Sequence, residues 1–211
     1  MFLSWTTLAL AQDPEPDKRA FGVLPNNRTA ESSVPFAPIS TKRKLTIAAK
    51  DSFALPVFFT ASVFAGFYQL QNSNPSFGQG MAGYAKRYAT AFGDQMSGNM
   101  LTEGFIPALG HQDPRYFRLG HGSKKARILN AVESIFVARM DSGRKTFNFS
   151  EWGGNAAAAA ISNAYYPDSR TARQNTEKLF VQCGADALAN VLKEFWPDVK
   201  RHFFDRGDPK P

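Results

Sequence analysis

Between Ser52 and Ala85 the chain reads SFALPVFFTASVFAGFYQLQNSNPSFGQGMAGYA, thirty-four residues without a charged side chain. The first half is apolar and aromatic, and the second is a Gly/Asn/Pro loop leading into small residues. Such a stretch is kept from water by a protein core or by lipid. Leu55 to Gln71 reads as a helix, with Pro56 in the first turn, where its missing N–H is not needed. Val57, Phe58, Phe59, Val63, Phe64, Phe67 and Leu70 make it apolar almost all round. That pattern belongs to a central core helix or a membrane span. Pro56 to Gln71 reaches about 24 Å at 1.5 Å per residue, short of the roughly 20 residues a span needs. The length favours the core helix.

Helical periodicity continues on both sides. Ser40-Thr41 reads as an N-cap for the short amphipathic helix KRKLTIAAKDSF. A third helix is expected from Met81 to Phe105, ended by Pro107 and Gly110. On it Ala82, Ala85, Ala89, Gly93 and Ser97 recur at spacings of three and four, a bare ribbon that lets another helix come close. Ala61, Ala65 and Gly66 offer a matching face on the second helix, as do Gly153 and Ala157 on the fifth. The fourth helix is expected over Ala126–Arg139. Ser150 should cap the fifth, which is charge-free from Trp152 to Pro167. Ser169 should cap the last, Arg170 to Phe195, with Cys183 on its buried side and Glu177, Lys178, Asp186, Lys193 and Glu194 in water. Pro197 should kink or restart it.

No segment alternates with a period of two, so no strands are expected, and an outer-membrane barrel is not expected either. The fold expected is all-α: a compact bundle of about five or six helices with close-packed Ala/Gly faces and an irregular N-terminal lead. The second helix would be central, with the third and fifth against it.

Residues 1–11 read as a signal peptide lacking its basic n-region: an apolar run ends in Ala9-Leu10-Ala11, small residues suited to a signal peptidase. This implies export to the periplasm or cell envelope. Residues 12–39 hold five prolines and no periodicity, an extended lead. Residues 40–204 form the helical domain, and 205–211 a disordered tail.

Composition narrows the function. With 43% hydrophobic residues and a mean hydropathy of -0.32, the 211-residue chain is too polar for a polytopic membrane protein. Its net charge of +7 suits an anionic surface. Arg115, Arg118, Lys124, Lys125 and Arg127 lie between Asp113 and Glu133 with no acid among them. With Tyr116 and Phe117 they resemble a patch for anionic lipid head groups, each basic residue contributing about 1 kcal/mol. The plainer reading pairs the arginines with acids inside the fold, Asp141, Glu151 and Asp168 being candidates. Export argues against nucleic acid as a partner.

His111, Asp113 and His121 place three metal-capable groups in the same connector, though solvated loop side chains explain them more simply. The single cysteine, Cys183, excludes an internal disulfide and a C-x-x-C site. No G-x-S-x-G or phosphate loop is present, and Gly78 to Gly83 matches G-x-G-x-x-G in letters only, because a charge-free helix precedes it. No cofactor is expected.

Several strings together carry a resemblance: NSNPSFGQG over 72–80, Gly83-Tyr84-Ala85-Lys86-Arg87, HQDPRYFR over 111–118, SNAYYP over 162–167 and Glu194-Phe195-Trp196-Pro197-Asp198. The chain resembles a group of exported bacterial proteins without an assigned activity, over about residues 40 to 200. The resemblance implies no activity, cofactor or catalytic residue. The function expected is a non-enzymatic envelope protein, structural or binding, that associates with a membrane surface, lipid or a protein partner. The alternatives are an envelope hydrolase or metal-dependent enzyme centred on residues 111–121, and an integral helical subunit of a membrane complex.

Overall fold

The computed structural model describes residues 19–20, 24–25 and 28–203. The expected signal peptide and the 205–211 tail lie outside the described residues. Ser40 accepts a hydrogen bond from the Arg43 N–H and starts α1, Thr41–Ser52. After a 48° bend comes α2, Leu55–Leu70. A tight loop leads to α3, Gly80–Asn99. That helix widens into a π turn over Met100–Phe105 and closes as α4, Ile106–Leu109. Pro107 has no N–H to return to the Glu103 carbonyl, so the ladder is interrupted where the wider turn sits.

Ser123 caps α5, Lys124–Glu133, through the Ala126 N–H. The helix stops six residues before the expected Arg139, because Val137–Met140 is a strand. The cap of α6, Phe149–Ser162, is Asn148 rather than Ser150. The Ser150 hydroxyl donates instead to Gln112 Oε1 at 2.7 Å. For α7, Ala172–Phe203, the cap is a reciprocal box: Gln174 N–H donates to Thr171 Oγ1 at 3.3 Å, and Thr171 N–H to Gln174 Oε1 at 3.0 Å. The helix continues through Pro197 to Phe203.

The expectation of no strands is corrected. A small hairpin pairs β1, Arg19–Ala20, with β2, Leu24–Pro25. In the lead, β3, Thr29–Glu31, pairs in parallel with the later β5, Tyr116–Arg118. A three-stranded antiparallel sheet joins β4, Gln112–Asp113, to β6, Val137–Met140, and β6 to β7, Lys145–Phe147. Segments of two to four residues are too short to show alternation. The frame nonetheless remains an all-α compact bundle.

The second helix is not central. Leu55, Phe59 and Leu70 are 68%, 72% and 88% exposed, and only Ala61 and Ala65 of α2 are buried. Its main partner is α3, while α6 packs on α3, the π turn and α7. The middle of the fold is the π turn, held between α1 and α6. Small residues do permit close approach, but in another register. Gly83, Ala91, Gly98, Gly154, Ala158 and Ala159 are buried, Gly66, Gly93 and Ala157 are half-buried, and Ala85, Ala89 and Gly153 are exposed. In WGGNAAAAA a small side chain stands at nearly every position. Spacing alone therefore leaves the buried face undetermined.

Neighbouring glycines give a direct check. A Cβ on Gly154 would stand 2.6 Å from Thr102 Cγ2 and 2.9 Å from the Thr102 backbone, whereas one on Gly153 would meet nothing within 4 Å. Gly154→Ala is expected to destabilise by about 1–3 kcal/mol through overpacking. Gly153→Ala is expected to stabilise by up to about 1 kcal/mol through helix propensity. Urea unfolding of the pair tests this, and equal midpoints would refute the assigned register.

Polarity is distributed unusually. The largest fully buried side chains are Arg87, Lys44, Ile47, Gln112, Glu151 and Glu194, only one of them apolar. Phe53, Leu55, Phe59, Val63, Phe67 and Leu70 are more than half exposed, as are Leu129, Phe180, Val181, Leu188 and Leu192.

Candidate functional site

The basic connector is largely absorbed by the fold. Arg115 grips Asp113, its Nη2 2.7 Å from Oδ2, and donates to the Ala37 carbonyl at 2.6 Å. Arg118 pairs with Glu31 at 2.9 Å, the residue opposite it in the β3–β5 register. Arg127 is buried, with Nε 2.9 Å from Glu194 Oε1 and Nη1 2.6 Å from Asp198. Tyr116 is buried too, its hydroxyl donating to Glu194 Oε2. Lys124 and Lys125, in the first turn of α5, are exposed. Thus three arginines of the expected lipid patch are tied to carboxylates, and two lysines face solvent.

The acids differ from those expected. Asp141 takes Lys44 at 2.7 Å, Glu151 takes Arg28, and Asp168 accepts from the Ser76 N–H at 3.0 Å. Glu194, expected in water, is fully buried and organises the connector. Its carboxylate also accepts the N–H groups of Leu119 at 3.0 Å and Gly120 at 2.8 Å. Burial alone would raise its pKa, but the Tyr116, Gly120, Arg127 and Leu119 donors bring it below the ordinary glutamate value.

The His111, Asp113 and His121 constellation does not converge. Asp113 is sealed beneath Arg115, and both histidines are exposed, His111 leaning toward Asp141 at 3.6 Å. Among the described residues no three His, Cys, Asp or Glu side chains are placed to hold a metal ion. Cys183 is buried, and burial followed by the nearby Glu151 and Asp186 pushes its thiol up to about 11, away from nucleophilic use.

A second polar centre was not foreseen. Arg28, from the lead, reaches Glu103 of the π turn at 2.8 Å and Glu151 of α6 at 3.5 Å, while its Nε donates to the Pro114 carbonyl at 2.8 Å. Burial lowers the Arg28 pKa, but Glu103 and Glu151 raise it further, and it stays protonated. Burial, opposed by Arg28 and assisted by Asp51 and Asp186, pushes Glu103 up to about 8. Glu151 is pushed well above the carboxylate range by burial and by Asp186. Glu103 Oε2 and Asn155 Oδ1 are buried there without a hydrogen-bond partner among the described residues. A lone arginine in a proline-rich lead carries no sequence signal for this role.

The charge-free segment forms the hairpin of α2 and the first half of α3. On its outer side Leu55, Phe59, Val63 and Phe67 follow one another at a spacing of four, with Leu70 after them. Inside, Phe58 stacks on Phe92 at 5.0 Å, and the Tyr84 hydroxyl donates to the Ser62 carbonyl at 3.2 Å. Arg87, fully buried, closes the tip. It donates to the carbonyls of Ser73 at 2.9 Å, Gly78 at 2.7 Å and Asn74 at 3.2 Å, and to Gln69 Oε1 at 2.6 Å. Asn72 and Asn74 turn with positive φ of 50° and 52°. Asparagine tolerates that region better than most residues. One guanidinium thereby satisfies four acceptors of an irregular loop without bringing a carboxylate into the segment.

Among the described residues no single helix is long and apolar enough to cross a membrane, although the bent pair α1 and α2 passes the test together. No protein family, curated protein or solved structure matches the chain.

Proposed function

We propose that this protein is a non-enzymatic membrane-interface module of the cell envelope, with the outer side of α2 set into the boundary of an anionic bilayer. The observation that carries the reading is the Leu55–Leu70 face, apolar, exposed and free of charge. Five side chains there (Leu55, Phe59, Val63, Phe67 and Leu70) are 53% to 88% exposed. Together they leave an apolar area on the order of 600 Å², at the upper end of what a soluble monomer shows. The segment carries no charge from Ser52 to Ala85, and its exposed polar residues, Gln71, Asn72, Ser76 and Gln79, lie in the loop beyond the apolar face. Exposed cations stand just outside it, Lys50 before and Lys86 after, where long basic side chains reach head groups. At about 24 Å, α2 suits insertion along the boundary better than a crossing. Lys124 and Lys125 add long-range attraction at most, since Arg115, Arg118 and Arg127 are held by carboxylates.

Flotation with vesicles of phosphatidylglycerol and phosphatidylcholine tests the reading. The wild type should float, and Phe59→Asp with Phe67→Asp should abolish flotation with little loss of stability, because both side chains are already exposed. Lys124→Glu with Lys125→Glu should weaken it only at low salt. A protein that stays at the bottom, or that self-associates through α2 and is made monomeric by the aspartates, would sink the lipid reading in favour of a second copy as the occupant.

A further inference from the structure

Beside the connector the fold forms a polar cavity of about 80 Å³, partly open to solvent. A water takes roughly 30 Å³ in the liquid, and pockets for larger organic ligands begin at about 300 Å³. The cavity therefore suits a ligand of a few heavy atoms. Arg139, Lys145, Glu133, Asn130, Asn148 and Asn190 are among its lining. They come from β6, β7, α5, the α6 cap and α7, so the cavity exists only in the folded chain.

Its charges are unequal in a useful way. Two other arginines reach the cavity wall, but Arg28 is spent on Glu103 and Glu151, and Arg115 on Asp113. The guanidinium of Arg139 has no ion pair or side-chain hydrogen bond among the described residues. It lies over the Phe117 ring at 4.6 Å and the Phe36 ring at 5.7 Å. Stacking fixes its plane and leaves its edge donors free. Lys145 is 3.9 Å from Glu133, a loose contact between two exposed groups. Arg139 and Lys145 against Glu133 leave one excess positive charge.

The amides add a second selection. Asn130 Nδ2 is used on the Tyr116 hydroxyl at 3.0 Å and the Phe117 carbonyl at 3.1 Å, which leaves Oδ1 as an acceptor. Asn190 Nδ2 donates to Ser134 Oγ at 2.9 Å and likewise keeps Oδ1. Asn148 Nδ2 donates to the Ser134 carbonyl at 2.8 Å and retains its second hydrogen. A ligand that suits this wall is an anion that still carries a hydroxyl. Sulfate is fully deprotonated at neutral pH, whereas inorganic phosphate keeps a hydroxyl and a phosphomonoester keeps one in the minor fraction left protonated by a second pKa of about 6.

We infer that the cavity bounded by Arg139, Lys145 and the three asparagines is a binding site for a small phosphate group. Arg139 supplies the charge-assisted donors, and Asn130 and Asn190 accept from the phosphate hydroxyl. The phosphate can belong to free inorganic phosphate or to an exposed phosphomonoester head group. The inference rests on the cavity alone and holds whether or not α2 meets lipid.

The test is calorimetric titration of the full chain with inorganic phosphate at constant ionic strength, without membranes, and with sulfate as control. Saturable binding is expected, weaker for sulfate. Arg139→Gln should weaken it at least about tenfold, as loss of a charge-assisted contact does. Arg139→Lys should recover part, Glu133→Gln should tighten it, and Lys124→Gln should leave it unchanged. Circular dichroism of each variant separates lost binding from lost folding. Absence of saturable binding to the folded wild type overturns the proposal, as does equal binding by folded Arg139→Gln. Where phosphate binds, competition with phosphatidic acid vesicles identifies the source. Displacement assigns the head group and its absence the free solute, and both outcomes retain the site.

Discussion

Arg28→Met is expected to destabilise the protein by about 3–5 kcal/mol above pH 9, where the buried carboxyls are driven to ionise without their cation. Among the described residues Glu103 and Glu151 then have no positive partner within ion-pair distance. The loss should shrink toward pH 5, and the sign follows from the folded-state pKa values. Glu103 is raised to about 8 from an unfolded value near 4.5, so the folded state holds a proton that the unfolded state releases between those limits. A raised carboxyl therefore costs stability progressively as pH rises from about 4.5 to 8. Arg28 moderates that cost, and removing it carries the decline on above pH 8. At pH 5 the carboxyls are mostly protonated in the fold, so the arginine matters less. Urea midpoints of wild type and variant at pH 5 and pH 9.5 measure this. A deficit independent of pH would refute the role given to the ion pair, and Glu103→Gln in the Arg28→Met background should restore part of the lost stability.

Glu194→Ala is expected to cost about 3–5 kcal/mol at pH 7, for the opposite electrostatic reason. It removes the acceptor for Tyr116, Leu119, Gly120 and Arg127 together. Arg127 is buried, so its charge would lose Glu194 while keeping only Asp198 near the surface. The Glu194 pKa is depressed in the fold. Its stabilisation is accordingly present above the unfolded value near 4.5 and is lost as pH falls through the lower folded value. The deficit of the variant should shrink in acid, where wild-type Glu194 is protonated and its charge no longer contributes. Hydrogen exchange at the Leu119 and Gly120 amides should accelerate strongly. Arg118→Ala, which breaks a pair with both side chains partly exposed, should cost no more than about 1 kcal/mol. Equal losses for Glu194→Ala and Arg118→Ala would remove Glu194 from its central place.

The helices were legible because each depends on residues close in sequence. Ser40 is an N-cap where expected, and Pro56 sits at the start of α2. Elements built from distant pairings were not legible. Glu31 lies opposite Arg118 only because β3 pairs with β5, and nothing local to either segment announces it. Apolar content was misread for a related reason. The all-round hydrophobicity of α2 predicts concealment but not whether protein or something else conceals it, and the fold leaves its outer side uncovered. At Glu194 the periodicity pointed toward water, yet the donors that reward its burial lie 67 to 78 residues away. The candidate site suffered the same limitation. Arg115, Tyr116 and Arg127 were recognisable as a cluster, but the carboxylates that consume the two arginines were assigned to the wrong residues.

Arg28 and Glu151 are 123 positions apart, and that separation orders events during synthesis. A ribosome adds about 5–20 residues each second, so the arginine waits on the order of 10 s before its second carboxylate is made. Until then the acidic centre that the lead enters is incomplete, although β5 has already been made. Docking of the lead is consequently a late step in vectorial folding, and a nascent chain halted before α6 should present the lead as a protease-sensitive end.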